Sequence, residues 1–340
     1  MRGFLLGLGV ATMVAALAAA LAAPLAAQTG VPMDRDWDPM ARDFNRQEGG
    51  ADGPPNPLPH GLVGAINSVA AVDRELERRE LSAKERGSLL MHRAMLNLTS
   101  GNQAQADRDI ERALRTDPTL KYDLLASRAR DMAASGRTQP AIDLVDRALQ
   151  DQPGYAPLIT TRGQARMMQG DYALALADFN LNADTSDVVR RLRAQAYYTN
   201  GNYKEAVGDL DYLLQTGSSV SRPIHLVLWR YANNVKLRRD ARGLLTSDLR
   251  SYGEPEAWPA PIARFLAGRL TVGELEIAAE TDKDARQSDG RCLASYFMAM
   301  DTVRQGNQAR ARELLRLTQA RCGITHFANW AAAAELKRLR

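Results

Sequence analysis

Two cysteines, four histidines and scattered carboxylates are the residues of this chain that could do covalent, metal or acid–base chemistry. The cysteines, Cys292 and Cys322, are far apart and form no Cys-x-x-Cys, so a redox-active dithiol or zinc-knuckle reading has no support. His60, His92, His225 and His326 are dispersed, and by spacing none forms a metal-ligand pattern with a Cys, Asp or Glu. There is no H-E-x-x-H, no phosphate-cradling glycine loop and no nucleophile elbow. Glu77 and Glu80 stand three apart among arginines, the pattern of a solvated helix face rather than of an acid–base pair. Asn97-Leu98-Thr99 matches a glycosylation sequon, but it falls on a predicted helix beside a turn and reads as incidental. No catalytic residue, metal ligand or cofactor is expected, and the chain reads as non-enzymatic.

Composition narrows the remaining classes. The chain has 340 residues, 25% of them charged, with a net charge of +4. No basic block interleaved with aromatics occurs, which argues against a nucleic-acid partner. Arg2 is the only charge before Asp34, and an apolar Ala/Leu-rich stretch runs from Gly3 to Ala27. This is the pattern of a secretory signal over residues 1–27, with Pro24 ending its helix ahead of a cut after Ala27. The competing reading is a retained membrane anchor. No cysteine lies near the cut to accept a lipid, so the mature chain is expected to be periplasmic or secreted and not a lipoprotein. Residues 28–59 are rich in Gly and Pro and poor in apolar residues; such a stretch reads as a disordered linker, with Trp37 its one candidate docking residue.

From residue 60 to 338 the chain repeats itself. Gly101, Gly136, Gly170 and Gly201 are spaced 35, 34 and 31 residues apart. Five residues after each stands Ala106, Ala141, Ala175 or Ala206; nine after each stands Ile110, Val145, Phe179 or Leu210. Seven before each is a small residue (Ala94, Ala129, Gly163, Ala194), preceded by Arg93, Arg128, Arg162 or Arg193. The first two repeats close with Asp117-Pro118 and Gln152-Pro153. Small residues let two helices approach, a glycine takes the positive φ of a tight turn, and a proline stops the second helix. This pattern resembles the tetratricopeptide repeat. The resemblance implies an all-α helical-repeat solenoid, a right-handed superhelix of helix-turn-helix units. Clear units are expected at about 87–120, 121–154, 155–185, 187–218 and 292–324, with degenerate helices over 223–282. Ser82 to Glu85 has capping-box form, Thr271 to Glu274 is a second such cap, and a last helix from about Thr325 to Arg338 is expected to cap the open end. Asn182 stands where a small residue is usual, and the turn glycine is missing near Arg239.

In such arrays the first helices line a concave groove, and register assigns Met91, Met95, Arg130, Gln164, Arg191, Gln195 and Tyr198 to it as protein-binding candidates. The set lacks the Lys and Asn combination of chaperone adaptors that clamp a terminal carboxylate. In the last unit, Cys292 opens the first helix and Cys322 ends the second. An antiparallel pair puts those ends side by side, so a disulfide is expected, worth about 3.5 kcal/mol by the loop-entropy model.

The C-terminal half also resembles the NlpI-type envelope tetratricopeptide proteins, through Trp229 with Tyr231, Trp258-Pro259-Ala260-Pro261, Phe265-Leu266-Ala267-Gly268 and Cys292 to Ala299. That resemblance implies a scaffold or adaptor able to form homodimers and to bring peptidoglycan hydrolases to a processing protease. The alternative is a structural subunit of an outer-membrane or export assembly complex.

Overall fold

A computed structural model describes residues 68–78, 80–217, 223–252, 257–287 and 290–339. The expected signal segment, the linker with Trp37, and His60 lie outside the described residues. Within them the chain is all-α: seventeen helices and no strand. None of these helices is long and apolar enough to cross a membrane. Packing divides the described chain into two compact units, residues 68–121 and 122–339.

The first unit contains α1 (Val69–Leu76), α2 (Ala83–Thr99) and α3 (Gln103–Thr116). Ser68 caps α1 through its hydroxyl, which accepts from the Ala71 N–H at 3.3 Å. The capping box at α2 forms: the Ser82 N–H donates to Glu85 Oε2 at 2.8 Å and the Glu85 N–H donates to Ser82 Oγ at 3.2 Å. Leu90, Ala113 and Leu120 are buried together between these helices.

The second unit takes up α4 (Leu120–Ala134), whose first turn carries the boundary. It continues with α5 (Thr138–Asp151), α6 (Ala156–Gln169), α7 (Tyr172–Asn180), α8 (Asp187–Asn200), α9 (Tyr203–Gln215), α10 (Pro223–Lys236) and α11 (Ala241–Tyr252). From α5 to α11 each helix packs on the next, and α4 joins α5 and α6 in one cluster around Ala129, Ala141 and Val145. The turn glycines sit at φ 77 (Gly101), 82 (Gly136), 90 (Gly170) and 94 (Gly201), a region closed to most other residues. In the degenerate pair the same left-handed position is filled by Arg238, at φ 56. The short spacing from Gly170 to Gly201 has a physical cause: α7 has 9 residues where α3 and α5 have 14. The chain turns through Asn182 instead of continuing the helix past it.

Four of the first helices carry an arginine that bridges an aspartate of its own repeat and one of the preceding repeat. Arg193 lies 2.7 Å from Asp209 of its own repeat and 3.5 Å from Asp184 of the preceding one. Arg162 bridges Asp146 and Asp178, both at 2.7 Å. Arg93 bridges Asp73 and Asp109, and Arg230 bridges Asp211 and Asp248. In three of these clamps the arginine and the aspartate of its own repeat are 16 residues apart. The repeat at 121–154 has Arg128 but carries Leu144 where the aspartate would stand.

Beyond α11 lie α12 (Ala260–Leu266), α13 (Val272–Thr281), α14 (Lys283–Gln287), α15 (Gly290–Arg304), α16 (Gln308–Arg321) and α17 (Phe327–Arg338). The capping box at Thr271 is complete. Cys292 and Cys322 are disulfide-bonded with Cα atoms 5.0 Å apart, joining the start of α15 to the end of α16. The expected terminal cap needs correction. Helix α17 packs on α15 and α16 but also folds back onto α8. Phe327 packs against Trp229 with centroids 4.3 Å apart and the rings tilted by 50°, and the Tyr172 hydroxyl donates to the Trp330 carbonyl at 3.2 Å. The physical reason is α17's composition: Phe327, Trp330 and five alanines make its first two turns apolar nearly all round, so it has to be covered on more than one side.

Candidate groove on the first helices

The seven groove candidates separate into distinct environments. Met91, on α2, is half-buried against the Leu90, Ala113 and Leu120 cluster, so it serves packing. Met95 lies on the same helix, and its side chain is outside the described residues. In the second compact unit, Arg130 of α4 donates to Thr161 Oγ1 of α6 at 3.4 Å. Burial lowers its pKa, opposed by the charges of Asp131 and Asp123. Gln164 is half-buried on α6.

Arg191, Gln195 and Tyr198 share α8 and come together. They line one pocket with Trp229 and Asn233 of α10 and Phe327 of α17. Register places these three at a solvated groove surface, but the structure buries them, to 6%, 5% and 1% exposure. Tyr198 is a core residue whose ring forms part of the pocket wall. Its hydroxyl accepts from the Tyr296 hydroxyl at 2.6 Å and donates to the Met300 sulfur at 3.5 Å. Burial, with the nearby Glu335 charge, holds its pKa well above the usual tyrosine value. The cause of the burial is α17, which no local register could place across α8.

The α17 seat is completed by a buried acid. Glu335 is fully buried and takes Lys236 Nζ at 2.5 Å, Arg338 Nη1 at 3.0 Å and the Tyr203 hydroxyl at 3.2 Å. The Arg338 guanidinium also donates to the Thr199 carbonyl at the end of α8. A buried carboxylate is tolerable only when so fully paired.

Other chemistry-bearing residues resolve as structural. His326 contacts Cys292 Sγ through Nδ1 at 3.3 Å, and the same nitrogen accepts from the Ala328 N–H at 3.1 Å to cap α17. Cys292, Cys322 and His326 thus place their donor atoms within 4.8 Å of one another, a cluster that sequence spacing missed although Cys322 and His326 are four apart. With the two sulfurs bonded to each other, no thiolate is on offer to a metal. The sequon residue Asn97 is buried, its Nδ2 donating to Asp109 at 3.4 Å, which accords with an incidental match.

No family model and no curated protein matches the chain. Among solved structures, a tetratricopeptide repeat protein from Parabacteroides merdae is similar at 15% identity and a TM-score of 0.42, over 69% of this chain and 92% of that one.

Proposed function

We propose that this protein is a non-enzymatic scaffold of the cell envelope that binds other proteins through the concave side of its first helices. The observation that supports this most is the stripe Arg130, Thr161, Gln164, Arg191, Gln195 and Asn233. It places polar groups in partly or fully desolvated positions on successive first helices. Such a row suits the polar groups of a partner, and no nucleophile–base pair stands among these residues. The apolar signal-like N-terminus and the closed disulfide favour an exported, oxidising setting. The NlpI-type resemblance favours an adaptor that brings peptidoglycan hydrolases or a protease together.

The test is affinity capture from crosslinked cell envelopes with the tagged chain, read by mass spectrometry and repeated with Arg130→Ala combined with Gln164→Ala. The adaptor reading expects hydrolases or a protease to be captured, and to be lost in the double variant while its helicity is unchanged. Capture of outer-membrane assembly components at fixed ratio, or capture indifferent to the double variant, counts against it.

A further inference from the structure

Helix α7 departs from the other second helices on its solvent side. Eleven residues past the turn glycine the first two repeats carry Arg112 and Arg147, and seven past it Arg108 and Asp143, all exposed. The third repeat carries Leu181 and Ala177 at these positions, with Ala173 and Leu174 one turn earlier, and these four are exposed as well. The opposite side of α7 is apolar too, with Ala175 and Phe179 fully buried. A helix that is apolar all round is normally covered all round, yet Leu174 is 51% and Leu181 64% exposed. In the fourth repeat Tyr212 holds the position of Leu181 and is also exposed, with the Arg190 guanidinium 4.0 Å over its ring.

The size of this face bears on what covers it. Its two leucines and two alanines offer on the order of 300 Å² of apolar surface, against roughly 800 Å² per partner in a stable dimer. That is the footprint of a short helix, not of a second subunit. The sequence holds a matching segment ahead of the described residues. Trp37, Met40 and Phe44 stand three and then four residues apart, the same spacing as Leu174, Ala177 and Leu181, and each row covers about 10 Å of helix. Asp38-Pro39 has the form of a helix start, Gly49-Gly50 that of a stop, and Arg42 and Arg46 lie toward the end where a helix favours cations. Phe44 precedes Ser68 by 24 residues. A tether of that length extends to about 80 Å and sets an effective concentration on the order of millimolar, at which a weak contact is filled.

We propose that the exposed face of α7 is the seat of this chain's own residues 37–44, which dock on it as a short helix. Trp37 and Phe44 cover the two leucines, and Met40 fills the low ground at Ala177. An arginine at the position of Leu181, as in the first two repeats, would offer this segment no apolar seat, so the third repeat alone receives it. The inference stands apart from the groove reading, since it uses a second helix and the N-terminal segment and none of the first-helix residues.

The experiment uses the chain from Gln28 onward with the photoreactive residue p-benzoylphenylalanine in place of Leu181. On irradiation the chain is expected to form a link within the monomer to residues 35–46, identified by mass spectrometry, with a yield unchanged on dilution. Trp37→Ala combined with Phe44→Ala is expected to remove most of that yield while the Tm and the far-UV spectrum stay close to those of the parent. A link that joins two chains and fades on dilution overturns the proposal in favour of a second copy. No link in the purified chain, or one that the double variant leaves unchanged, overturns it as well. A link formed only in envelope extracts, to another protein, does the same. None of these failures touches the envelope-capture result, which tests the scaffold reading on its own.

Discussion

The regular repeats over residues 83–217 and the C-terminal part over 223–339 solve the same packing problem by different means. In three of the four repeats, an arginine on the first helix clamps an aspartate 16 residues on in its own repeat and one from the preceding repeat. In the C-terminal part the decisive contacts span about a hundred residues. Tyr296 reaches Tyr198, Lys236 reaches Glu335 and Phe327 packs against Trp229. A repeat can propagate because its bonds are local. A closing segment needs distant bonds, since nothing follows it to cover its face.

The sharpest way to break this comparison is within one clamp. Asp178 is nearly fully buried and holds both Arg162 and Arg166. Asp178→Ala leaves two partly buried guanidiniums short of their counter-charge and is expected to cost about 3–5 kcal/mol, measured by urea unfolding. A loss below about 1 kcal/mol would show that the clamps are decoration and that apolar stacking carries the repeats. The corresponding test of the C-terminal part is its disulfide. Cys292→Ser with Cys322→Ser is expected to cost about 3.5 kcal/mol, and reductant should destabilise the parent but not the variant. An equal response of both to reductant would mean that the bond is not formed in solution.

The aromatic cluster gives the C-terminal part a pH signature. Burial raises the pKa of Tyr198 and Tyr296 well above 10, and the charge of Glu335 adds to it. Below pH 10 the folded and unfolded tyrosines are both protonated and the full stability is present. Above pH 10 the unfolded chain releases those protons first, so stability falls as pH rises toward the folded pKa. The slope approaches about 1.4 kcal/mol per pH unit for each such tyrosine. Tyr198→Phe should make the decline shallower; an unchanged slope in alkaline denaturation would remove this residue from the account. The smallest effect concerns the degenerate turn. Arg238 occupies the left-handed region at φ 56, and Arg238→Gly is expected to raise stability by about 1 kcal/mol in the same urea assay.

Much of the repeat fold is legible from residue types. The glycines at positive φ, the small residue before each turn and the Ser82 and Thr271 caps are local devices, and the last unit's register already puts Cys292 beside Cys322. The arginines are visible as well, yet their partners are not obvious, because the aspartate lies eight residues past the glycine and one repeat lacks it. The candidate site is legible only in part. Arg191, Gln195 and Tyr198 can be assigned to one face of α8, but Asn233 sits in a repeat without its marker glycine and gives no periodic signal.

What the sequence determines by itself is set by short-range physics: which segments become helices, where they turn, and which faces are small enough to pack closely. Only the tertiary structure decides that α17 lies across α8 and buries Tyr198 in the core. It also decides that Gln195 and Asn233 meet in one pocket. Those outcomes depend on where an apolar terminal helix finds the most surface to cover, a competition among sites far apart in the chain that no local spacing records.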